Sequence, residues 1–202
     1  MIKYFKATKD ILINYKLSFI SVMFFELIFY LFFKKEFNRF DYLKSNIYSH
    51  SIPCPFFFLI KIRKFLIQQK IDNICDLGSG YGKILYYLGN LQKFIIDGVE
   101  LNKKIYYSSL ILSSKKIQIY NEDILTFNLK KKNYEAFILN DPLKNPKDLE
   151  QLIIRIKNNY KKIFLIFINL DLKKQKLIKK NFKIIEKFKA SKNKNIFYCK
   201  SH

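Results

Sequence analysis

A glycine-rich stretch is the part of the chain whose residue types and spacing are best suited to chemistry. Residues 73–82 read NICDLGSGYG, in which an apolar, strand-like run ends at Asp76. Gly78 and Gly80 follow, and a helix is predicted to begin near Gly82. Glycines allow a sharp turn and the close approach of a ligand, and a helix N-terminus offers unpaired N–H groups. The stretch therefore predicts a binding site for a nucleotide-like ligand.

The spacing of these glycines excludes the ordinary dinucleotide fingerprint. That fingerprint is G-x-G-x-x-G, and its third glycine would fall on Lys83. The chain has G-x-G-x-G instead, with glycines at 78, 80 and 82. The loop therefore departs from that of ordinary dinucleotide-binding proteins.

Two further acidic residues end later apolar runs. Glu100 closes the run FIIDGVE, about twenty residues beyond Gly80, where a carboxylate is placed to accept hydrogen bonds from both hydroxyls of a ribose. Asp123, in IYNEDIL, is placed to meet an adenine amino group, with Ile124 beside the ring. Each acid alone is typical of a solvated turn. The order and spacing of Asp76, Glu100 and Asp123 favour a single shared ligand.

These three motifs resemble those of class I S-adenosylmethionine-dependent methyltransferases, over about residues 53–199. The segment 76–82 resembles their motif I, Val99-Glu100-Leu101 their strand-two acidic motif, and 121–124 their adenine-side motif. The resemblance implies that S-adenosylmethionine is the cofactor. It places the methionine moiety beside Asp76, Gly78, Ser79, Gly80 and Gly82, the ribose at Glu100, and the adenine at Asp123 and Ile124.

A fourth motif, FILNDPL at residues 137–143, falls where this family places substrate-facing residues. Family members that methylate nucleobase amino groups have Asn or Asp, then two prolines and an aromatic residue that stacks on the flipped base. Here Asp141 replaces the first proline and Leu143 the aromatic residue, which argues against a nucleobase acceptor. Asn140 and Asp141 are predicted as the catalytic pair, orienting an amine nucleophile. The alternative is an Asx-type turn leading into Pro142.

The acceptor is less well specified than the cofactor. The lead-in Ile52-Pro53-Cys54-Pro55-Phe56 resembles that of small bacterial methyltransferases of unassigned substrate and of membrane-tethered protein-lysine methyltransferases. This favours a protein side chain such as lysine as acceptor. A small-molecule or nucleic-acid methyltransferase, and a protein that binds the cofactor without turnover, remain alternatives. Neither His50 nor His202 is predicted to be a general base, and His50 is expected at the surface of the connector.

The N-terminal region contains a strongly apolar run, LSFISVMFFELIFYLFF, at residues 17–33. About 17 helical residues reach roughly 25 Å, slightly short of a hydrocarbon core of roughly 30 Å. Glu26 near the middle adds a cost on the order of 3 kcal/mol to spanning. A helix packed on the chain's own domain and a helix associated with the membrane are therefore both open. We divide the chain into residues 1–51, a hydrophobic helix and connector, and residues 52–202, the cofactor-binding domain.

The rest of the chain alternates strands with helices, which predicts an α/β fold with a doubly wound, mostly parallel Rossmann-like sheet and helices on both faces. Pro53 and Pro55 force extended geometry, so a helix is predicted to begin near Phe56. The predicted strands are Asn73–Asp76, Ile95–Glu100, Ile117–Tyr120, Ala136–Asn140, Ile163–Asn169 and Asn195–Lys200. The later predicted helices are Gly82–Leu91, Lys103–Ser113, Pro146–Tyr160 and Lys173–Lys180.

Charge and cysteine content limit the remaining partners. The net charge is +22, but only three of the 38 basic residues are arginine, and Lys, Asn, Ile, Phe and Tyr are enriched together. That composition is typical of an AT-rich coding sequence, so a nucleic-acid partner is not favoured. Cys54, Cys75 and Cys199 are scattered, which predicts no metal site and a reducing compartment. The predicted location is cytoplasmic, with possible membrane association on the cytoplasmic face.

Overall fold

Seven strands form a single sheet in the described part of the computed structural model, which comprises residues 24, 26–28, 31, 39–41, 45–92, 94–189 and 194–201. The strand order is β3-β2-β1-β4-β5-β7-β6, with the first five strands parallel and β7 antiparallel to both of its neighbours. The strands are β1 (Asn73–Leu77), β2 (Ile95–Val99), β3 (Ile117–Tyr120), β4 (Ala136–Asn140), β5 (Phe164–Ile168), β6 (Lys183–Lys189) and β7 (Asn195–Lys200).

From residue 45 onward, the described part of the chain has one helix before β1 and four helical segments that follow strands. They are α1 (Phe56–Gln68), α2 (Lys83–Leu85), which continues as a π-helical turn (Tyr86–Leu91), α3 (Lys103–Ser109), which ends in a 3₁₀ turn (Leu110–Leu112), α4 (Pro146–Asn159) and α5 (Leu172–Asn181). Side-chain oxygens of Asn102, Asn145 and Asp171 accept backbone N–H groups at the starts of α3, α4 and α5. These caps explain where the three helices begin, because the first N–H groups of a helix have no partner within it.

The core lies in two layers, one on each face of the sheet. One layer packs α1 and α2 against strand residues such as Ile74, Ile138 and Ile166. The other packs α4 and α5 against the intervening residues, such as Cys75 and Phe137. Because successive strand side chains point to opposite faces, a sheet covered on both sides has nearly continuous apolar strands. The predicted α/β class, with a mostly parallel sheet and helices on both faces, is confirmed.

The edge of the sheet differs from the prediction. Strand β6 was not predicted, and its sequence KIIEKFK is largely exposed at the sheet edge, where it pairs with β7. An exposed edge strand lacks the buried apolar run that identifies the central strands. The helix predicted over Gly82–Leu91 is only one short α-helical segment followed by the π-helical turn.

The predicted N-terminal helix is described only in part. Residues 24, 26–28 and 31 are helical, and the rest of residues 17–33 lies outside the described residues. Glu26 accepts hydrogen bonds from the backbone N–H of Phe56, at the start of α1, and from Lys83 Nζ at 2.8 Å. Among the described residues, no helix is long and apolar enough to cross a membrane. Membrane association and the division at residue 51 stay predictions.

Candidate active site at the carboxyl edge of the sheet

The glycine-rich loop is held tightly against the end of β2. The backbone N–H groups of Gly78 and Ser79 both donate to the carbonyl of Val99, at 2.9 and 3.0 Å. Gly78 has a φ of 89°, and a Cβ added there would lie 2.6 Å from Pro142 Cβ. A larger residue at this position would therefore collide with the fourth-strand motif. The loop and that motif form adjoining walls of one site.

Glu100 joins the loop to the end of β2. Its carboxylate accepts hydrogen bonds from the backbone N–H of Gly80 at 2.9 Å and from that of Asn102 at 2.7 Å. Burial raises the pKa of the Glu100 carboxyl, and the backbone donors oppose that shift. These hydrogen bonds hold the loop in place, and Glu100 also lines a cavity beside the loop.

A cavity of about 400 Å³, here called the first cavity, opens beside the loop. The glycine-rich loop and the start of α2 form one side of it, and the segment that follows β2 forms the floor. The connector before α1 forms the opposite side. The lining residues are Arg39, Ser45, Tyr48, Ser49, His50, Ser51, Ile52, Pro53, Cys54, Gly78, Ser79, Gly80, Tyr81, Lys83, Ile84, Glu100, Leu101, Asn102, Ile124, Asn140 and Pro142.

Asp76 is fully buried at the end of β1, and it is not among the residues that line the first cavity. Neither carboxyl oxygen has a hydrogen-bond partner within the described structure, and the hydroxyl of Ser79 is likewise unsatisfied. Burial, reinforced by the charge of Glu100, raises the pKa of Asp76 to about 8. Burying a carboxylate without hydrogen-bond partners costs free energy. A cationic or hydrogen-bond-donating group bound next to Asp76 would therefore stabilise its ionised form.

The predicted adenine-side residues lie in a turn after β3. The carboxylate of Asp123 accepts the backbone N–H of Leu125 at 2.8 Å. Burial and the nearby Asp123 carboxylate raise the pKa of the Tyr48 phenol. Ile124 lines the first cavity, whereas Asp123 does not. The structure therefore brings Ile124 to the cavity, with Asp123 engaged by the turn and the connector.

Asn140 and Asp141 occupy the end of β4, and both are held by other side chains. Asn140 donates to the carbonyl of Ile52 at 2.8 Å and accepts from the amide of Asn169 at 2.7 Å. Asp141 has a φ of 45° and accepts a hydrogen bond of 2.5 Å from Lys174 Nζ. Burial raises the pKa of the Asp141 carboxyl, and the Lys174 ammonium opposes that shift. The observed partner of Asp141 is thus a lysine on α5.

The connector contributes cavity residues that were not predicted. The backbone N–H of Ser49 donates to the carbonyl of Pro142 at 2.9 Å, and Asp41 and Ser51 exchange two backbone hydrogen bonds. The Tyr81 hydroxyl donates to Asp41 at 3.0 Å. His50, expected at the surface, is half-buried and lines the cavity. In the sequence, the extended geometry required by Pro53 and Pro55 was the feature that indicated that this segment would pack along the domain.

Comparison with solved structures identifies the fold, although no protein-family model and no curated protein matches the chain. The magnesium protoporphyrin IX methyltransferase of Synechocystis PCC 6803, solved with bound S-adenosylmethionine, is 13% identical with a TM-score of 0.56, over 71% of this chain and 77% of that one. An S-adenosylmethionine-dependent methyltransferase of Aquifex aeolicus is 12% identical, with a TM-score of 0.56 over 69% and 89%. A glycopeptide N-methyltransferase is 11% identical, with a TM-score of 0.52 over 69% and 94%. The chain has the class I methyltransferase fold.

The methyltransferase fold leaves a second cavity of about 300 Å³ next to the first. The two cavities share part of the connector and the end of β4. The second cavity is lined by Ser49, His50, Ile52, Asn140, Asp141, Lys144, Asn169, Asp171 and Lys194. Eight of these nine residues are polar or charged, and they include residues that follow β4 and β5. Because parallel strands end at the same edge of a sheet, both cavities open where ligands of such folds bind.

The fold holds no candidate metal centre among the described residues. Cys54, Cys75 and Cys199 are free thiols buried in the domain. Burial raises the pKa of each thiol, so these cysteines are core residues and poor nucleophiles.

Proposed function

We propose that this chain is an S-adenosylmethionine-dependent methyltransferase. The observation that carries the proposal is the buried, unpartnered Asp76 carboxyl under a glycine-rich loop whose glycine spacing differs from that of dinucleotide sites. The ammonium group of S-adenosylmethionine would form an ion pair with the Asp76 carboxylate. Its ribose hydroxyls would donate hydrogen bonds to the Glu100 carboxylate. Ile124 offers an apolar surface for the adenine. The bound cofactor would supply an electrophilic methyl group on a sulfonium.

The protein's part in such a reaction is positioning. Methyl transfer from a sulfonium is an in-line displacement, so a correctly held nucleophile and the exclusion of water account for much of the rate. Glu100 and the loop hold the cofactor side of the site. The connector and Asn140 stand between the two cavities and set the direction from which an acceptor approaches.

Calorimetry with S-adenosylmethionine tests the cofactor assignment. We expect the wild type to bind and Glu100→Ala to bind about 10- to 100-fold more weakly, because a hydrogen bond to a charged acceptor contributes roughly 1.5–3 kcal/mol. Glu150→Ala is the matched control, since Glu150 is an exposed acid of α4 that lines neither cavity. Absence of binding by the wild type, or equal binding by the Glu100 variant, would sink the assignment.

We further propose that the acceptor is an amine on a protein side chain such as lysine. Leu143, at the position of the base-stacking aromatic residue, is buried and does not line the second cavity. The only aromatic side chain among the described residues that line this cavity is His50. The names of the similar structures include a porphyrin and a glycopeptide methyltransferase, so the fold serves varied acceptors. A cavity lined mainly by polar residue types, without a stacking platform, favours an amine over a nucleobase.

A labelling experiment tests this acceptor class. The full chain is incubated with a cell lysate and S-adenosylmethionine labelled in its methyl group, and the product is treated with protease or nuclease. We expect protease to release the label from the macromolecular fraction and nuclease to leave it there. Glu100→Ala is the control and should give background labelling. Label that resists protease and is released by nuclease would show that the acceptor class is wrong.

A further inference from the structure

Lys194 stands apart from the other basic residues of the second cavity. Lys144 Nζ donates to the carbonyl of Ser45. Lys174 Nζ, which lies close by on α5, is held between Asp141 at 2.5 Å and Asp171 at 3.6 Å. Lys194 is half-buried in the wall and forms no ion pair or hydrogen bond with the described residues. Of the two lysines described in the lining of this cavity, Lys194 is therefore the one whose amine has neither an ion pair nor a hydrogen bond with the described residues.

The surroundings of Lys194 favour the neutral amine. Burial lowers the pKa of Lys194, and Cys54 and Asp141 oppose the shift. Cys54 lines the first cavity and Asp141 lines the second. Lys194 itself lines the second cavity, which has Ser49, His50, Ile52 and Asn140 in common with the first. A desolvated lysine with a lowered pKa is a better nucleophile than an exposed one.

These observations point to a specific acceptor. We propose that Lys194 is itself a methyl-accepting residue, modified in cis by the cofactor held in the first cavity. The inference rests on the proposed cofactor and deepens the proposed amine specificity. It requires Lys194 Nζ to reach the methyl group at the boundary that the two cavities share.

The step balances without any further reactant. The ammonium of Lys194 first loses a proton to solvent. The lone pair of Nζ then forms a bond to the methyl carbon, and the carbon–sulfur bond breaks with its electron pair going to sulfur. The sulfonium becomes the neutral thioether S-adenosylhomocysteine, and Lys194 becomes a monomethylammonium.

The experiment uses the purified full chain and S-adenosylmethionine alone. After incubation, the intact mass and a peptide map are measured by mass spectrometry at several protein concentrations. We expect a gain of one methyl group on the peptide that contains Lys194, at a rate per molecule that does not depend on protein concentration. Lys194→Arg should abolish the gain, and Lys173→Arg, a change at an exposed lysine of α5, should leave it intact.

The other possible outcomes distinguish failure of this inference from failure of the proposed function. Calorimetric binding of the cofactor with an unmodified Lys194 peptide would overturn the inference and leave the cofactor assignment standing. Methylation of His50 or another lysine, or a rate that rises with protein concentration, would also overturn it. Absence of cofactor binding would instead overturn the proposed function. Lys194→Gln is a second variant at this position. Circular dichroism of Lys194→Arg and Lys194→Gln shows whether each protein is still folded when methylation is lost.

Discussion

Asp76→Asn is expected to make the cofactor-free protein more stable than the wild type above pH 8 and to abolish high-affinity cofactor binding. The buried carboxyl has a pKa of about 8, against 3.8 for an ordinary aspartate. Between these values the folded state holds a proton that the unfolded state has released. The free energy of unfolding of the wild type therefore falls as the pH rises through this window. An asparagine of the same shape carries no charge and lacks this dependence.

The measurement is urea unfolding of both proteins from pH 5 to pH 9. The difference in the free energy of unfolding should change by roughly 4 kcal/mol in favour of the variant between pH 5 and pH 9, because about three pH units of the window lie in this range. Taking the difference cancels the titration of other groups. Asp72→Asn, the same change at an exposed carboxyl on the chain just before β1, should give parallel curves. Parallel curves for Asp76→Asn would contradict the raised pKa.

The same variant addresses cofactor binding. A cationic amino group near Asp76 stabilises the ionised carboxyl, so binding should release a proton below pH 8 and strengthen as the pH rises toward that value. Removal of one partner of a buried ion pair costs about 3–5 kcal/mol, which predicts a loss of affinity of about 100-fold or more in the asparagine variant. Calorimetry in buffers of different ionisation enthalpy measures both effects. Binding without proton release would argue that Asp76 does not meet the ammonium.

The second large effect is expected at the ion pair that joins the N-terminal helix to the domain. Lys83 is almost fully buried, and its ammonium lies 2.8 Å from the carboxylate of Glu26. Glu26→Gln removes the charge that faces this ammonium, and we expect the free energy of unfolding to fall by about 3–5 kcal/mol. Glu26 also accepts the N–H of Phe56 at the start of α1, and the amide oxygen of the glutamine can still accept that hydrogen bond, so the variant isolates the loss of charge.

A double mutant separates the ion pair from other contributions. Glu26→Gln combined with Lys83→Met removes both charges, and the second change should recover much of the lost stability. The matched control is Glu122→Gln, because Glu122 and Lys131 form an exposed pair of similar length for which about 1 kcal/mol or less is expected. Equal effects of Glu26→Gln and Glu122→Gln in urea unfolding would show that the N-terminal helix does not dock on Lys83.

This docking bears on both cavities, since Lys83 lines the first cavity and α1 follows directly from the connector. Glu26 was interpreted from the sequence as a cost to membrane insertion. In the structure it is a partner for a buried lysine and for the first turn of a helix. Association of the rest of residues 17–33 with a membrane is compatible with this contact and stays a prediction.

The central strands and the glycine-rich loop were predictable because their determinants are local. Strands covered on both faces are short apolar runs, and β3, β4 and β7 have the predicted bounds. Glu100 follows such a run. Because parallel strands end at the same edge of a sheet, the sequence predicted that Glu100 would lie beside the loop. Strand β6 was missed because an exposed edge strand has no such run.

The sequence by itself thus determined the parallel sheet, the loop and the acidic residue beside it. The tertiary structure decided the rest: that Asp76 is buried without a hydrogen-bond partner among the described residues, that the connector lines both cavities, and that Lys174 pairs with Asp141. The pairs Lys83–Glu26 and Lys174–Asp141 are 57 and 33 positions apart. Local propensity and periodicity carry no information about which distant side chains meet, because that depends on how the layers pack.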